Sequence, residues 1–431
     1  MTLRQMCRYV AVFTLPLFGA IALCAQSMPP SLLPGEIPTP MNEEETHNSD
    51  VFTMGLGLSS NVDDNALNDN RNRVFNVLTI VEPHFGWTGS HPRTEWTVNY
   101  RPGYSISHQL PIYSSQSQRL DSTFQWRPVR RLKLRVHDSF LRSTNPFDRL
   151  QSAEPAPSST IINGPNSGLL ETARTSSEQA GLDLIYATGP HTVIGASGSF
   201  FDVSYKDLAA SRILGRASST AGQLFYNHHL SQRQWIGIDY NVQNLTAHSP
   251  DSRSLVQSIF ATYSVLLAPH MVFAGFAGPE HSATGESVLS GATPVRGNEH
   301  WAGGATYSWS SNRSAIISSF SRRISDGGGL AGLVRLSSAR AQVRREFVPR
   351  WTADLLLSYD RNKTLSATGS TLSYVSGACG LTHSLSPDLS IDIRYWRVHE
   401  SAAGLQPGLY LADHNRVSVS LFYDFKSRLG R

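Results

Sequence analysis

The chain has 431 residues, 40% hydrophobic and 16% charged, with 37 Lys and Arg against 33 Asp and Glu. That length admits two or three soluble domains or one large β-architecture, and a formal charge of +4 excludes the concentrated basic excess of a nucleic-acid binder. Of three cysteines, Cys7 and Cys24 fall within the first 25 residues, which leaves Cys379 alone and excludes an internal disulfide framework.

Residues 1–25, "MTLRQMCRYVAVFTLPLFGAIALCA", place Arg4 and Arg8 before an apolar run from Tyr9 to Leu23 that ends in Leu23-Cys24-Ala25. This is the layout of a cleaved secretory signal with scission after Ala25. As a membrane anchor the run is short, and Pro16 interrupts it. Residues 26–50 are proline-rich and then acidic, without periodicity, and read as a periplasmic linker. No later segment approaches the uninterrupted apolar length of a membrane helix.

From Val51 onward, short runs of two-residue alternation repeat, the pattern of strands with one apolar and one polar face. The separators alternate between short and long. The short ones are "TGSHPR" (88–93), "RPVRR" (127–131), "TGPH" (188–191), "LSQRQ" (230–234), "LAPHM" (267–271), "SSNRS" (310–314), "VPRW" (348–351) and "LSPDL" (385–389). Each carries turn-forming residues. Measured between Gln232, Pro269, Asn312, Pro349 and Pro387, the repeats are 37, 43, 37 and 38 residues, each holding two strands, one short turn and one long connection. The longest connection runs from Ser143 to Ser177. Short turns at one end and long loops at the other predict a transmembrane antiparallel up-and-down β-barrel of about eighteen strands, sixteen being the alternative count, over residues 51–425.

Several runs have clear faces. Trp96, Val98, Tyr100, Tyr104 and Ile106 alternate with Asn99, Arg101, Ser105 and Ser107; Trp351, Ala353, Leu355, Leu357 and Tyr359 with Thr352, Asp354, Ser358 and Asp360; Leu389, Ile391, Ile393 and Tyr395 with Asp392 and Arg394. The runs at 74–87, 192–205 and 314–325 leave their faces open. Six of the eight tryptophans (Trp87, Trp96, Trp126, Trp235, Trp309 and Trp351) lie within three residues of a short turn, which predicts an aromatic girdle at one membrane–water interface. The last run, "HNRVSVSLFYDF" (414–425), places Val417, Val419, Leu421, Tyr423 and Phe425 on one face, followed by a tail at 426–431. In hydrocarbon this strand must close on the first, "VFTMGLGLSSN" (51–61).

The ending "RVSVSLFYDF" resembles the terminal strand of bacterial outer-membrane proteins. The resemblance implies that Tyr423 and Phe425 form the C-terminal signal read by the barrel-assembly machinery. "GLGLSSNVDDN" (55–65) and "VNYRPGYS" (98–105) look like early strands of barrels associated with exopolysaccharide and capsule biosynthesis operons. That likeness implies export of an exopolysaccharide and periplasmic polysaccharide-export components as partners. General porins fold their third external loop into the lumen, and 143–177 is the third long connection here.

The inward faces carry Arg101, Arg119, Lys133, Arg135, Arg340, Arg344 and Arg394, with Asp121, Asp183, Asp239, Glu346, Asp354, Asp392 and Asp424. Seven of each sign exclude a strongly selective pore on total charge. Arg101, Arg119, Lys133 and Arg135 nevertheless fall on three successive strands, a basic stripe suited to guiding anionic sugars or small anions. The competing expectation is that these groups keep the lumen wet and pair with acids across it. "DDNALNDN" (63–70) offers oxygen donors for calcium, but its spacing is not that of an EF-hand and it reads better as a solvated turn.

No metalloprotease motif occurs, and "GASGS" (195–199) is not a nucleophile elbow. His228 and His229 are adjacent, so on a strand they face opposite ways. The chain is therefore expected to be a non-enzymatic outer-membrane channel without a cofactor or metal, bathed in lipid. It would pass exopolysaccharide or small hydrophilic and anionic solutes. The alternative is a surface-display barrel with a plugged lumen whose external loops bind a ligand or partner.

Overall fold

In a computed structural model, the described residues are 49–429 except 68, 71, 112–113, 144–173, 206–215, 249–250, 287–297, 326–332, 366–370 and 404–412. The expected signal peptide, nearly all of the linker and most of the longest connection lie outside them.

The strands are β1 (Ser49–Asp63), β2 (Asn76–Ser90), β3 (Thr94–Ser107), β4 (Ser115–Val129), β5 (Leu132–Ser143), β6 (Thr175–Gly189), β7 (Thr192–Tyr205), β8 (Ala217–Ser231) and β9 (Gln234–His248). They continue as β10 (Asp251–Ala268), β11 (Met271–Glu286), β12 (Asn298–Ser310), β13 (Ser314–Ser325), β14 (Val334–Val348), β15 (Trp351–Thr364), β16 (Thr371–Ser384), β17 (Leu389–Ala403) and β18 (Asp413–Leu429). All 18 form one antiparallel sheet in sequence order, and β1 pairs with both β2 and β18. The sheet is a closed barrel. A barrel of this strand number is wide enough to leave an aqueous interior.

The short turns predicted from sequence join β2 to β3, β4 to β5 and every later pair through β16–β17. Two findings depart from the expected layout. At the end that carries the long loops, β9 and β10 are joined by residues 249–250 alone. The last strand also runs past Phe425 to Leu429, with Lys426 opposite Thr53 and Leu429 opposite Asp50. Residues 426–429 therefore belong to the closing strand rather than to a free tail, and they pair with β1 from its second residue.

Alternation explains the faces. Met54, Leu56 and Leu58 of β1, Leu182 and Leu184 of β6, Ile236 and Ile238 of β9, Leu355 and Leu357 of β15, and Val417, Val419 and Leu421 of β18 all point outward and are exposed, Ile238 to 58%. An apolar band of this extent has no place in water, and with every strand edge paired it meets the requirement for crossing hydrocarbon. The barrel spans a bilayer, and lipid-banded barrels of this architecture belong to outer membranes.

Two of the three runs whose faces stayed open in the sequence, 74–87 and 192–205, share one cause: their inner faces are also partly apolar. Phe201 and Val203 of β7 are buried on the inside while Phe200 is exposed on the outside. In β2, Leu78 and Ile80 share the inner face with Asn61 and Ser59 of β1.

The girdle is largely as expected. Trp87 and Trp96 meet edge to face at 4.3 Å, and Trp351 stacks on His383 at 4.1 Å. Trp235 is the exception. Its register with His229 and Ser264 puts it on the inner face, where it stacks on the His229 ring at 4.9 Å. Proximity to a turn located this residue but did not say which way it points.

Leu357 lies mid-strand in the lipid band, opposite Ala341 and Gly377. Leu357→Arg is expected to destabilise the folded barrel by about 2–4 kcal/mol, read as a lowered urea midpoint in lipid vesicles.

Candidate functional site on the inner wall

Cross-strand register puts every predicted charged residue on the inner face. Arg101 lies opposite Arg119, Arg135 opposite Asp183, Arg344 opposite Asp354, and Lys133 opposite Ile185. The register, however, also supplies acids to most of the basic stripe. Arg119 Nε donates to Asp121 Oδ2 at 2.8 Å, and Asp121 Oδ1 accepts the Ser139 hydroxyl at 2.7 Å. Arg135 Nε donates to Asp183 Oδ2 at 2.9 Å, with the two side chains only 7% and 6% exposed. His137 stands 3.9 Å from the same carboxylate. The four-residue stripe expected from the sequence is thus corrected. Its members share a wall, but Arg119 and Arg135 are neutralised by partners from their own or the next strand.

Arg101 is what remains. It sits midway along β3, is exposed to the lumen and forms no ion pair among the described residues. Its cross-strand neighbour is another guanidinium, whose own charge is held by Asp121. An unpaired cation beside a paired one in the middle of a bore is a local source of positive potential.

The opposite arc repeats the pairing. Arg394 Nη2 binds Asp354 Oδ1 at 3.1 Å and its Nε stands 3.8 Å from Asp392, which also accepts the Thr382 hydroxyl at 2.8 Å. Arg340 approaches Asp360 at 3.9 Å. His84 contacts Asp424. At the mouth formed by the short turns, Arg344 and Glu346 lie two residues apart on one face of β14.

Between these arcs the wall has a shallow polar recess open to the lumen, lined by His137, Gln179, Asp183, Ser197, Gln223 and Asn241 among others. Ser197 donates to the Gln223 side-chain carbonyl at 3.2 Å. Small residues make the recess: an ideal Cβ at Gly181 would stand 2.3 Å from the His137 ring.

Not all of the inner wall is polar. Phe260, Phe276 and Ala302 form one buried cluster, with the two rings edge to face at 5.1 Å. Tyr374, Ala378, Trp396 and Val398 form another, against which Leu356 packs. Asp239, in register with Phe225 and Phe260, is fully buried, and neither of its oxygens has a hydrogen-bond partner. Apolar residues on lumen-facing positions were missed in the sequence. In an alternating strand they look like failures of the pattern.

The "DDNALNDN" segment is more than a turn at the rim. Its side chains clip the barrel seam. Asp64 accepts from the Asn415 amide at 2.7 Å and from its side chain at 2.6 Å; Asn70 Oδ1 accepts from the Asp413 amide at 2.8 Å; Asn65 Nδ2 donates to Asn70 and to the Asp413 carbonyl, both at 3.1 Å. His414 contacts Asp63 at 3.2 Å. These oxygens bind β18, and Asn68 lies outside the described residues. Tyr423 and Phe425 face outward and are exposed, on the lipid side of the closing strand. His228 and His229 point to opposite faces as expected, His228 meeting the Thr192 hydroxyl at 3.1 Å.

Among solved structures, the fold is similar to that of Acinetobacter baumannii OccAB4, with 10% identity over 90% of this chain and 100% of that one and a TM-score of 0.43. It is also similar to Pseudomonas aeruginosa OpdQ, with 10% identity over 88% and 99% and a TM-score of 0.45. A third is Pseudomonas aeruginosa OpdK with vanillate, with 8% identity over 88% and 99% and a TM-score of 0.42. No protein-family profile and no curated protein sequence matches the chain.

Arg135→Ala would leave the buried Asp183 carboxylate facing only His137. It is expected to cost about 3–5 kcal/mol, read as a lowered urea midpoint, while the double variant Arg135→Leu/Asp183→Leu recovers most of the loss.

Proposed function

We propose that the chain is an outer-membrane channel for small hydrophilic solutes with a modest preference for anions. The observation that carries this reading is the charge arrangement of the inner wall. Asp121, Asp183 and Asp354 are held by arginines, whereas Arg101 stands exposed at mid-depth and, among the described residues, without an ion pair. A permeating anion would meet the Arg101 guanidinium there, not a ladder of four. Selectivity of that origin is mild and salt-sensitive.

Threading of an exopolysaccharide would use the same lumen, but a polymer requires an unobstructed bore. The buried apolar clusters on the walls of β10–β12 and β15–β17 weigh toward small solutes. They also keep a second reading in play, a display barrel whose filled lumen serves to hold external loops. For assembly, the outward pair Tyr423 and Phe425 is the part of β18 open to recognition by the barrel-assembly machinery.

Planar-bilayer conductance separates the two readings. Discrete ion-conducting steps with a reversal potential on the anion side support the channel; a silent, fully folded barrel refutes it. A unit charge about 4 Å from an ion in water contributes ~1 kcal/mol, so Arg101→Gln is expected to lower the anion-to-cation permeability ratio by about two- to fivefold. The double variant Arg135→Leu/Asp183→Leu, which removes both charges of a pair, should leave the ratio unchanged.

A further inference from the structure

The pairing of β12 with β13 breaks off before either strand ends. β13 stays hydrogen-bonded to β14 as far as Ser325 opposite Val334, but its pairing with β12 stops at Arg322 opposite Gly303. Residues 298–302 of β12 consequently have no partner on that side, although they pair with β11 on the other. The last residues of β13, 323–325, and the first of β14 opposite them have left the cylinder.

Burial shows where it goes. Phe320 points to lipid and is 52% exposed; Ile324, four residues on and therefore on the same face of an undistorted strand, is 3% exposed. Ile324 and Leu333 form a buried cluster with Leu245 of β9 and Val256 of β10, against which Leu365 packs from the end of β15. The hairpin end therefore turns inward and lies over the inner surface of β11 and β12. Val334 and Leu336, on its other side, are buried as well. The inner face of β12 at this level is small, Ala302 and Gly304, and a Cβ at Gly304 would stand 2.5 Å from the Phe276 ring.

One polar group ties this end down. The Ile324 amide, which leaves the β12 ladder, donates to Glu280 Oε2 at 2.8 Å, a bond from β11 to β13 that passes over β12. Glu280 is itself buried. Beside it, Arg335, the cross-strand partner of Ile324, places Nη2 at 2.5 Å from His300 Nδ1. Without the carboxylate, a buried amide would lack an acceptor, a cost an inward-lying strand end avoids by returning toward solvent.

We propose that Glu280 is a positioning residue that holds the end of the β13–β14 hairpin inside the barrel, and that this inward end narrows the bore and limits the size of solute that passes. The second half rests on the channel reading above; the first does not. On this view Glu280 touches no solute and acts through the Ile324 amide.

The test uses the full-length protein in lipid vesicles, in a Cys379→Ser background with Val256→Cys as reporter. Val256 is buried beneath the hairpin end. Reaction of the new thiol with a membrane-impermeant maleimide is expected to be slow in the parent and roughly tenfold or more faster in Glu280→Ala, since the acceptor of the buried Ile324 amide is removed. Glu280→Gln, which keeps an acceptor oxygen, should remain within about threefold of the parent. Ile324→Pro removes the same bond from the donor side and should reproduce the faster reaction if Glu280→Ala fails to fold. Liposome swelling with a graded series of sugars should show a larger size cut-off in both opened variants. Equal labelling in all four proteins overturns the positioning role. Faster labelling with an unchanged cut-off overturns the link to solute size. Absence of swelling in every variant, with labelling as expected, refutes the channel reading and leaves the role of Glu280 in place.

Discussion

The structure depends on hydrogen bonding between its first and last strands. A strand edge in hydrocarbon has no water to satisfy its amides and carbonyls, so an open sheet of this composition could not exist in a bilayer. The pairing of β1 with β18 runs in unbroken register from Asp50–Leu429 to Asp63–Arg416. Its outer end is reinforced by the acids and amides that follow β1, which bind the backbone of Asp413 and Asn415. Closure thus comes from the backbone, with a polar clip at the end nearest water.

Once the ring is closed, the two faces of every strand have different solvents and the interior must settle its own charge. Arginines and acids on neighbouring strands come within ion-pair distance because inner-face residues stand opposite one another across the ladder. Arg135 and Asp183 are far apart in the chain yet directly opposed in space. Where such pairing is complete the wall is polar but nearly neutral. Where it is incomplete, at Arg101, a field remains. The electrostatic character of the lumen is therefore a residue left over from structural pairing.

The interior also carries apolar clusters, which an open, water-filled pipe would not favour. One of them, on β9 and β10, is covered by the inward turn of β13–β14. Leu245 and Val256 lie on the adjacent strands β9 and β10, whereas Ile324 comes from β13, three strands further around the barrel, and no sequence period could have joined it to them. The same turn explains why residues 314–325 gave no readable face: the strand changes environment between Phe320 and Ile324 without changing its alternation.

Alternation and turn chemistry by themselves pointed to a barrel of about eighteen strands and to the outward faces of β3, β15, β17 and β18, and the closed ladder fixed the count at 18. Those properties are local: a period of two and a Pro, Gly or Asn at a turn are visible within ten residues. Charge inventory was legible as well, down to the placement of Arg101 and Arg394 on inner faces. Which charges cancel, which way Trp235 points, that the acidic loop after β1 is a clip, and that a hairpin end leaves the wall were decided only by tertiary structure. Each of these depends on register across the ladder or on contact through the lumen, where residues distant in sequence compete for the same partners and the same space.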